Sequence, residues 1–454
     1  MTKFKTLIFA LVVFASVFLL GFAGNQPFAF GNVLPFVNYQ SDEYLNKEDY
    51  FNSSFDKTQK KPWDTEIIFK YTGKQKVYRL SQNLSELDKK ALAERVVFCN
   101  SKLKARWLKK RQSEGIDLYL ALCYIYPGLK DTFDEIKAET EYKPVDATIT
   151  FLPNSAKKFS YTADETGCKI NVERTCDLLL EYLTRGDNCL SCQIPVETVL
   201  PSLSLSDALK ATSKRGEFVT DCFNSSQKRQ NNIALALKFF NGVVLEKGET
   251  KSFNEVVGKR TADRGFSVAK VLLNGSYVDG VGGGVCQAST TLFNALVLSD
   301  ISIKAVCQHS VKSSYVLPSF DAMVTDTGAD LVFCNNTEGK IYIATSCING
   351  KAKVEIFGYP KQYEIKRRSV VMQKIPFKTN TIVDEQQKYV DKVTYVDEQY
   401  ILTAGVDGIK SQGWLDYIKD GKIVFSKQIR TNYYKPIDMV VVKGSKTRPQ
   451  EITP

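Results

Sequence analysis

The chain has 454 residues, 43% of them apolar, with 61 Lys and Arg against 50 Asp and Glu, a net charge of +11 and a pI near 8.9. That length exceeds one ordinary core and calls for two to four domains, and the apolar fraction is that of a globular protein. The basic balance points to an anionic neighbour (nucleic acid, anionic lipid or wall polymer) or to a solvated basic surface. No dense Lys/Arg cluster interleaved with aromatics marks a nucleic-acid site. A single histidine argues against a metallohydrolase, because catalytic zinc usually takes two or three.

In chain order, Lys3 and Lys5 precede the apolar run LIFALVVFASVFLLGFAG at residues 7–24. Its length fits both a signal-peptide core and a spanning helix, so residues 1–24 are expected to be a signal peptide or a membrane anchor. Either way, residues 25–454 are expected outside the cytosol. Residues 25–62 are polar and aperiodic and read as a stalk.

Residues 63–215 mix strands and helices. EIIFKYT and KVYRL alternate with period two and read as strands. Residues 85–112 read as one long helix or two shorter ones, opening on Ser85-x-x-Asp88. DATITFL and KFSYTA read as a hairpin pair, and NVERTCDLLLEYLTRG as a helix ending at Gly186. Residues 201–215 read as a polar link.

A second α+β unit is expected over residues 216–358. RQNNIALALKFFNGVVL contains an amphipathic helix stopping at Asn241-Gly242. QASTTLFNALVLSD reads as a helix with Leu292, Phe293, Leu296 and Val297 on its apolar side. VKSSYV, DAMVTD, DLVFCNN, KIYIATSC and KVEIFG read as short strands. Residues 359–454 are strand-rich, with turn signals at 404–408, 419–422 and 442–444, and read as an all-β module. The expected class is therefore α+β multidomain with an N-terminal apolar helix.

Eleven cysteines leave at least one unpaired within the chain. Cys189 and Cys192 form a CxxC, yet no second CxxC follows, so a zinc site is weakly supported. A thiol redox role for this pair lacks a thioredoxin-like βαβ context.

The densest chemistry lies in VGGGVCQAST. Gly282, Gly283 and Gly284 allow unusual backbone angles and close approach, and Cys286 falls in the first turn of the following helix. There the helix dipole and unpaired N–H groups stabilise a thiolate and a developing oxyanion. His309 is the candidate base, Asp321 its candidate orienter, and Gln287 a candidate oxyanion donor through its N–H or side-chain amide. Each feature alone has an ordinary explanation: a tight turn, a small buried hydrophobe, a packed imidazole. Their coincidence within one expected domain favours the nucleophile.

These residues carry a resemblance. FVTDCFNSSQKRQNNIALALKFFNGVVL, the GVGGGVCQASTTLFNAL stretch, HSVKSSYV, FDAMV and DLVFCNNTEGKIYI resemble the VanW family of bacterial cell-envelope proteins. Residues 142–183 resemble the peptidoglycan-binding domain that often precedes it. The C-terminal stretch resembles the extracellular G-five domain, with several glycines missing. The resemblance implies work on a Gram-positive wall, at the membrane's outer face or in the wall itself. It implies a cysteine L,D-transpeptidase or carboxypeptidase using Cys286, His309 and Asp321, without cofactor or metal. Arg229, Asn232, Arg260, Gly283, Gly284, Gln287 and Tyr315 match motif positions and are candidates for substrate binding. Peptidoglycan is the expected partner, by stem peptide alone or with glycan, with the membrane a second one if the N-terminal helix is retained and nucleic acid not expected. The alternative is a non-catalytic wall-binding scaffold. Cys222, Cys307, Cys334 and Cys347 are unusual for the family; a Cys307–Cys334 or a Cys334–Cys347 disulfide would brace the site.

Overall fold

The computed structural model describes residues 65–83, 101–186, 189–273 and 276–448. The apolar run at 7–24, the expected stalk and the first part of the expected 85–112 helix lie outside the described residues. No described helix is long and apolar enough to cross a membrane. The described chain is a mixed α/β multidomain protein with many small sheets, and contacts divide it into two units.

The first unit comprises the described residues up to Tyr142 and those from 168 to 198. Its sheet places Glu66–Tyr71 between an antiparallel Lys74–Arg79 and a parallel Cys189–Gln193. Helices Ser101–Ser113, Leu118–Ile125, Leu129–Thr140 and Val172–Arg185 bury Leu122, Phe133 and Leu179 with Phe69 and Tyr78. The last helix starts where Asn171 accepts from the Arg174 N–H and ends on Gly186 in a left-handed conformation, as its sequence signals require.

The second unit comprises residues 143–167 and the described residues from 199 onward. The expected hairpin forms, as Thr148–Phe151 against Phe159–Thr162. Residues 201–215 are more than a link: Ser204 caps a short helix, Leu205–Ala211, by accepting from the Asp207 N–H. The Ser-x-x-Asp there is the same capping signal seen earlier in the chain.

Strand β1 (Ser213–Asp221) leads into helix α1 (Gln227–Lys238), the hairpin β2 (Val268–Leu273) and β3 (Ser276–Val281), and helix α2 (Val285–Leu298). Strands β4 (Ile341–Ile348) and β5 (Lys351–Gly358) complete a sheet of order β1, β5, β4 and Val244–Leu245. Three long strands follow as one antiparallel sheet: β6 (Glu364–Ile375), β7 (Gly408–Lys419) and β8 (Lys422–Tyr434). Asp420 and Gly421 make the β7–β8 turn with positive φ at both positions, the geometry that an Asp-Gly turn favours.

The expected apolar stripe of α2 understates its burial, since every residue from Gln287 to Val297 is buried. Ile365, Leu415 and Tyr417 of the C-terminal strands join the same hydrophobic cluster as Leu292, Phe293 and Leu296. Two expected strands do not form. VKSSYV is irregular, and DAMVTD contributes only a single bridge, Met323 to Cys307. At Phe320 and Ala322 the backbone bonds to side chains of α2 instead. Thr290 accepts from the Ala322 N–H, Ser289 donates to the Ala322 carbonyl, and Asn294 donates to the Phe320 carbonyl. A buried backbone must be paired, and here polar helix residues replace a neighbouring strand.

Candidate active site

The glycine triplet has a defined task at each position. Gly282 and Gly284 have φ of +85° and +111°, a region costly for residues with a Cβ. A Cβ on Gly283 would lie 2.7 Å from the Lys270 carbonyl oxygen and 2.8 Å from the Ala269 carbonyl, so the loop presses on strand β2. Asn232, fully buried on α1, ties the two together. Its Nδ2 donates to the Gly283 and Ser267 carbonyls at 2.9 Å, and its Oδ1 accepts from the Ser267 N–H at 2.8 Å.

This loop delivers Cys286 to the first turn of α2. The Val285 N–H closes on the Gly282 carbonyl and the Gln287 N–H on that of Gly284. The Cys286 N–H is left as the helix-start donor beside its own sulfur. The half-buried Sγ lies 3.4 Å from the Val324 carbonyl oxygen.

His309 and Asp321 meet it as the residue types suggested. Asp321, 1% exposed, accepts from both the backbone N–H and the Nδ1 of His309 through Oδ2, each at 2.7 Å. A carboxylate only accepts, so Nδ1 carries the hydrogen and Nε2 is left for the thiol. Burial disfavours the imidazolium, but the hydrogen bonds to Asp321 and Cys286 outweigh it and push the His309 pKa up to about 9. Burial likewise disfavours the Cys286 thiolate. Its hydrogen bond to His309 and the imidazolium charge prevail, helped by Arg260, and hold the thiol below its ordinary value. Against its own burial, Asp321 is held below the usual carboxylate range by His309, Arg430 and Tyr434. The three groups form a thiolate, imidazolium and carboxylate in line.

The other Asp321 oxygen has partners that no sequence motif indicated. Arg430 Nη2 donates to Oδ1 at 2.9 Å and Tyr434 Oη at 2.5 Å, and Tyr434 Oη in turn accepts from the Ser319 N–H at 2.7 Å. Both residues lie on β8, more than a hundred positions away along the chain.

The remaining candidates divide. The Gln287 side chain is spent inside the fold: Oε1 accepts from Arg229, and Nε2 donates to Thr220 Oγ1 and the Asp221 carbonyl. With its N–H also engaged, neither expected oxyanion donor is free on Gln287. Arg229 positions Gln287 and Ser225. Arg260 bonds Asp326 at 2.7 Å and Asn254 at 2.5 Å. Tyr315 keeps its proton, its pKa raised by burial and the nearby thiolate while Ser313 and Thr290 bond its hydroxyl. Arg229, Arg260, Tyr315, Cys286 and His309 line one cleft of about 1000 Å³. Of the unusual cysteines, the thiols of Cys222 and Cys347 hydrogen-bond each other, whereas Cys334 donates to the Gly248 carbonyl. Neither expected pairing, Cys307–Cys334 nor Cys334–Cys347, is the contact that forms.

Residues 228–357 match the family of VanW-like proteins, and residues 80–189 match a family described as "Putative peptidoglycan binding domain". The uncharacterized protein YoaR of Bacillus subtilis is 36% identical over 175 residues, 38% of this chain and 57% of that protein. The vancomycin B-type resistance protein VanW of Enterococcus faecalis is 28% identical over 169 residues, 34% of this chain and again 57% of the relative. The chain thus spans little more than half the length of these relatives. Among solved structures, the G5 domain of HP0197 is 23% identical over 18% of this chain, all of that domain, with a TM-score of 0.12. The G5 domain of an IgA1 protease is 17% identical over 19% of this chain and 96% of that domain, with a TM-score of 0.13.

Proposed function

We propose that this chain, which carries a VanW-like domain behind a peptidoglycan-binding-type domain, is a cell-wall cysteine acyltransferase. The observation that carries the reading is Cys286 facing His309, whose Nδ1 is bonded to Asp321, at a helix start that opens on a cleft. Thiol, base and orienter within hydrogen-bond reach are the requirements of covalent acyl transfer. The two matched families support a wall partner.

The reaction we assign is L,D-transpeptidation of stem peptides. The Cys286 thiolate attacks the carbonyl of the bond joining an L-centre to a D-residue. The Cys286 N–H at the helix start faces the developing oxyanion. His309 gives its Nε2 proton to the departing amine, the C–N bond breaks and a thioester forms. An acceptor amine from a second stem then attacks; His309 takes its proton, the C–S bond breaks and the thiolate returns. Water as acceptor gives the L,D-carboxypeptidase outcome through the same steps. Arg229, Arg260 and Tyr315 are the assigned walls of the substrate cleft. The workplace is the wall or the outer face of the membrane, and the apolar run at 7–24 is the candidate signal peptide or anchor.

The test is incubation of the purified chain with a disaccharide-tetrapeptide, followed by mass spectrometry for dimer, released D-amino acid and an adduct on Cys286. Dimer or tripeptide that disappears in Cys286→Ala is the expected result. Unchanged turnover in that variant would end the mechanism. No product from a folded chain that still sediments with wall sacculi would favour the binding scaffold.

A further inference from the structure

The base of this site is held from two sides. Its own domain supplies the loop, and β8 with the residue that follows it grips that loop on both flanks of His309. Gln308 Nε2 donates to the Tyr433 carbonyl at 2.6 Å, Asn432 Nδ2 donates to Gln308 Oε1 at 2.6 Å, and the Lys435 N–H donates to the Ser310 carbonyl at 2.8 Å. Further along, Ser319 Oγ and Ser411 Oγ lie 2.9 Å apart, and a Cβ on Gly413 would lie 2.9 Å from the Ser319 carbonyl oxygen. Arg430 and Tyr434 then reach Asp321 itself.

We infer that Arg430 and Tyr434 are positioning residues of the catalytic site, so that the working unit runs on past the family-matched segment to the end of β8. This inference deepens the acyl-transfer reading and rests on it. The physical argument concerns charge and direction. Asp321 is buried, and an isolated buried carboxylate is costly. Arg430 supplies a cation on the side opposite His309. With both Oδ1 donors in place, the carboxylate plane is fixed and Oδ2 points at Nδ1. The charged and titratable groups around the cluster are few. Asp321 meets His309, Arg430 and Tyr434; Cys286 meets His309, with Arg260 and Tyr315 beside it; and Arg260 is already committed to Asp326. When Arg430 loses its charge, Asp321 takes up a proton at higher pH. The imidazolium then loses its counter-ion, and the thiolate loses its partner.

Two readouts need no substrate. The first is the rate of Cys286 carboxamidomethylation by iodoacetamide against pH, mapped by mass spectrometry on the full chain. The second is the imidazole resonance of His309, the only histidine, followed by NMR titration. In Arg430→Gln, the acid limb of the alkylation profile is expected to rise by about one pH unit, roughly a tenfold loss of reactivity at the acid end. Arg430→Lys restores most of it, because the cation returns. Tyr434→Phe is expected to slow alkylation several-fold across the profile and to broaden the His309 resonance, because the carboxylate can turn. Arg448→Gln, which breaks the exposed pairs with Asp397 and Glu398 and the contact over the Tyr395 ring, all away from Asp321, leaves both readouts in place.

Thermal melts establish that each variant is folded. A folded Arg430→Gln with wild-type alkylation and an unmoved His309 titration would overturn the inference while leaving the acyl-transfer reading intact. A wild-type Cys286 that reacts only near pH 8.5 and above, as an ordinary thiol does, would overturn both.

Discussion

In the first unit, Cys123, Cys176 and Cys192 sit among apolar side chains, and burial pushes their pKa values up to about 11, 12 and 11. Cys286 meets the same cost, yet its thiol is held below the ordinary value. Burial alone therefore does not decide the state of a thiol here. The difference lies in what faces the sulfur. The first-unit thiols have no cation hydrogen-bonded to them among the described contacts, whereas Cys286 has an imidazolium in hydrogen-bond contact and a helix start beneath it. The thiolate is the nucleophile, so this contrast separates packing cysteines from a reactive one.

The largest expected effect breaks the comparison into labelled and unlabelled sites. At pH 7 a thiol with a pKa of about 11 is ionised to roughly one part in ten thousand. Brief iodoacetamide treatment of the folded chain should therefore modify Cys286 at least about a thousandfold faster than Cys123, Cys176 or Cys192. Peptide mapping reads the ratio directly. Comparable rates at all four would mean that Cys286 is a packing residue.

Removing the imidazolium tests the cause of the difference. His309→Ala leaves the helix start but deletes the hydrogen-bonded cation. Acyl transfer is expected to fall by roughly 10²–10⁴-fold, and Cys286 alkylation should move toward the ordinary thiol profile. Retained low-pH reactivity would show that the helix start suffices.

The pH dependence has a definite sign. The thiolate is present below the pH at which an ordinary thiol ionises, and His309 keeps its proton up to about 9. Between these limits the ion pair exists and the departing amine can be protonated. Above about 9 the imidazolium is lost, and acylation should fall about tenfold per pH unit. Stability follows the same rule. His309 has a raised folded pKa, so its contribution is complete below its unfolded value of roughly 6.5 and is lost as pH rises through about 9. A kcat/KM profile flat to pH 10 would contradict the assignment of His309 as the acid.

The legible part of this site was local. A glycine triplet, a helix start and the following cysteine lie within a few residues, and each acts through backbone geometry that sequence order fixes. Asp321 was legible as an acid near the only histidine. Arg430 and Tyr434 were not, because nothing near them in sequence indicates which buried carboxylate they serve. The inward alternation of Asn432 and Tyr434 at the end of β8 marks them as core-facing, and their partner emerges only from the packing of β8 on the His309 loop. Of the two missed strands, DAMVTD failed for a related reason. There Val324 has strand-like character, but the backbone partners at Phe320 and Ala322 are Ser289, Thr290 and Asn294 on α2, and period-two patterning cannot reveal a side-chain substitute for a strand. The β2–β3 hairpin did carry a signal, the Asn274-Gly275 pair in the sequence between its strands.

The smallest effect concerns how the helix start is aimed. Gly283 does not have a positive φ, so Gly283→Ala adds no backbone strain of that kind and tests contact alone. Its Cβ would meet the Lys270 and Ala269 carbonyls of β2 at 2.7–2.8 Å, and backbone, unlike a flexible side-chain end, cannot swing aside. Either β2 or the start of α2 must shift, at a cost of about 1–3 kcal/mol, which calorimetry or a denaturant melt would read. Gly248→Ala is the matched control. Its φ is +80° with nothing within 4 Å, so it carries left-handed strain of roughly 1–2 kcal/mol and no collision. Equal destabilisation in the two variants is compatible with the contact, but only Gly283→Ala should also slow Cys286 alkylation at pH 6–7, because only that shift moves the sulfur relative to His309. If both variants lose stability and both keep wild-type alkylation, the thiolate does not depend on where the glycine loop places the helix, and the contrast with the first-unit cysteines rests on His309 alone.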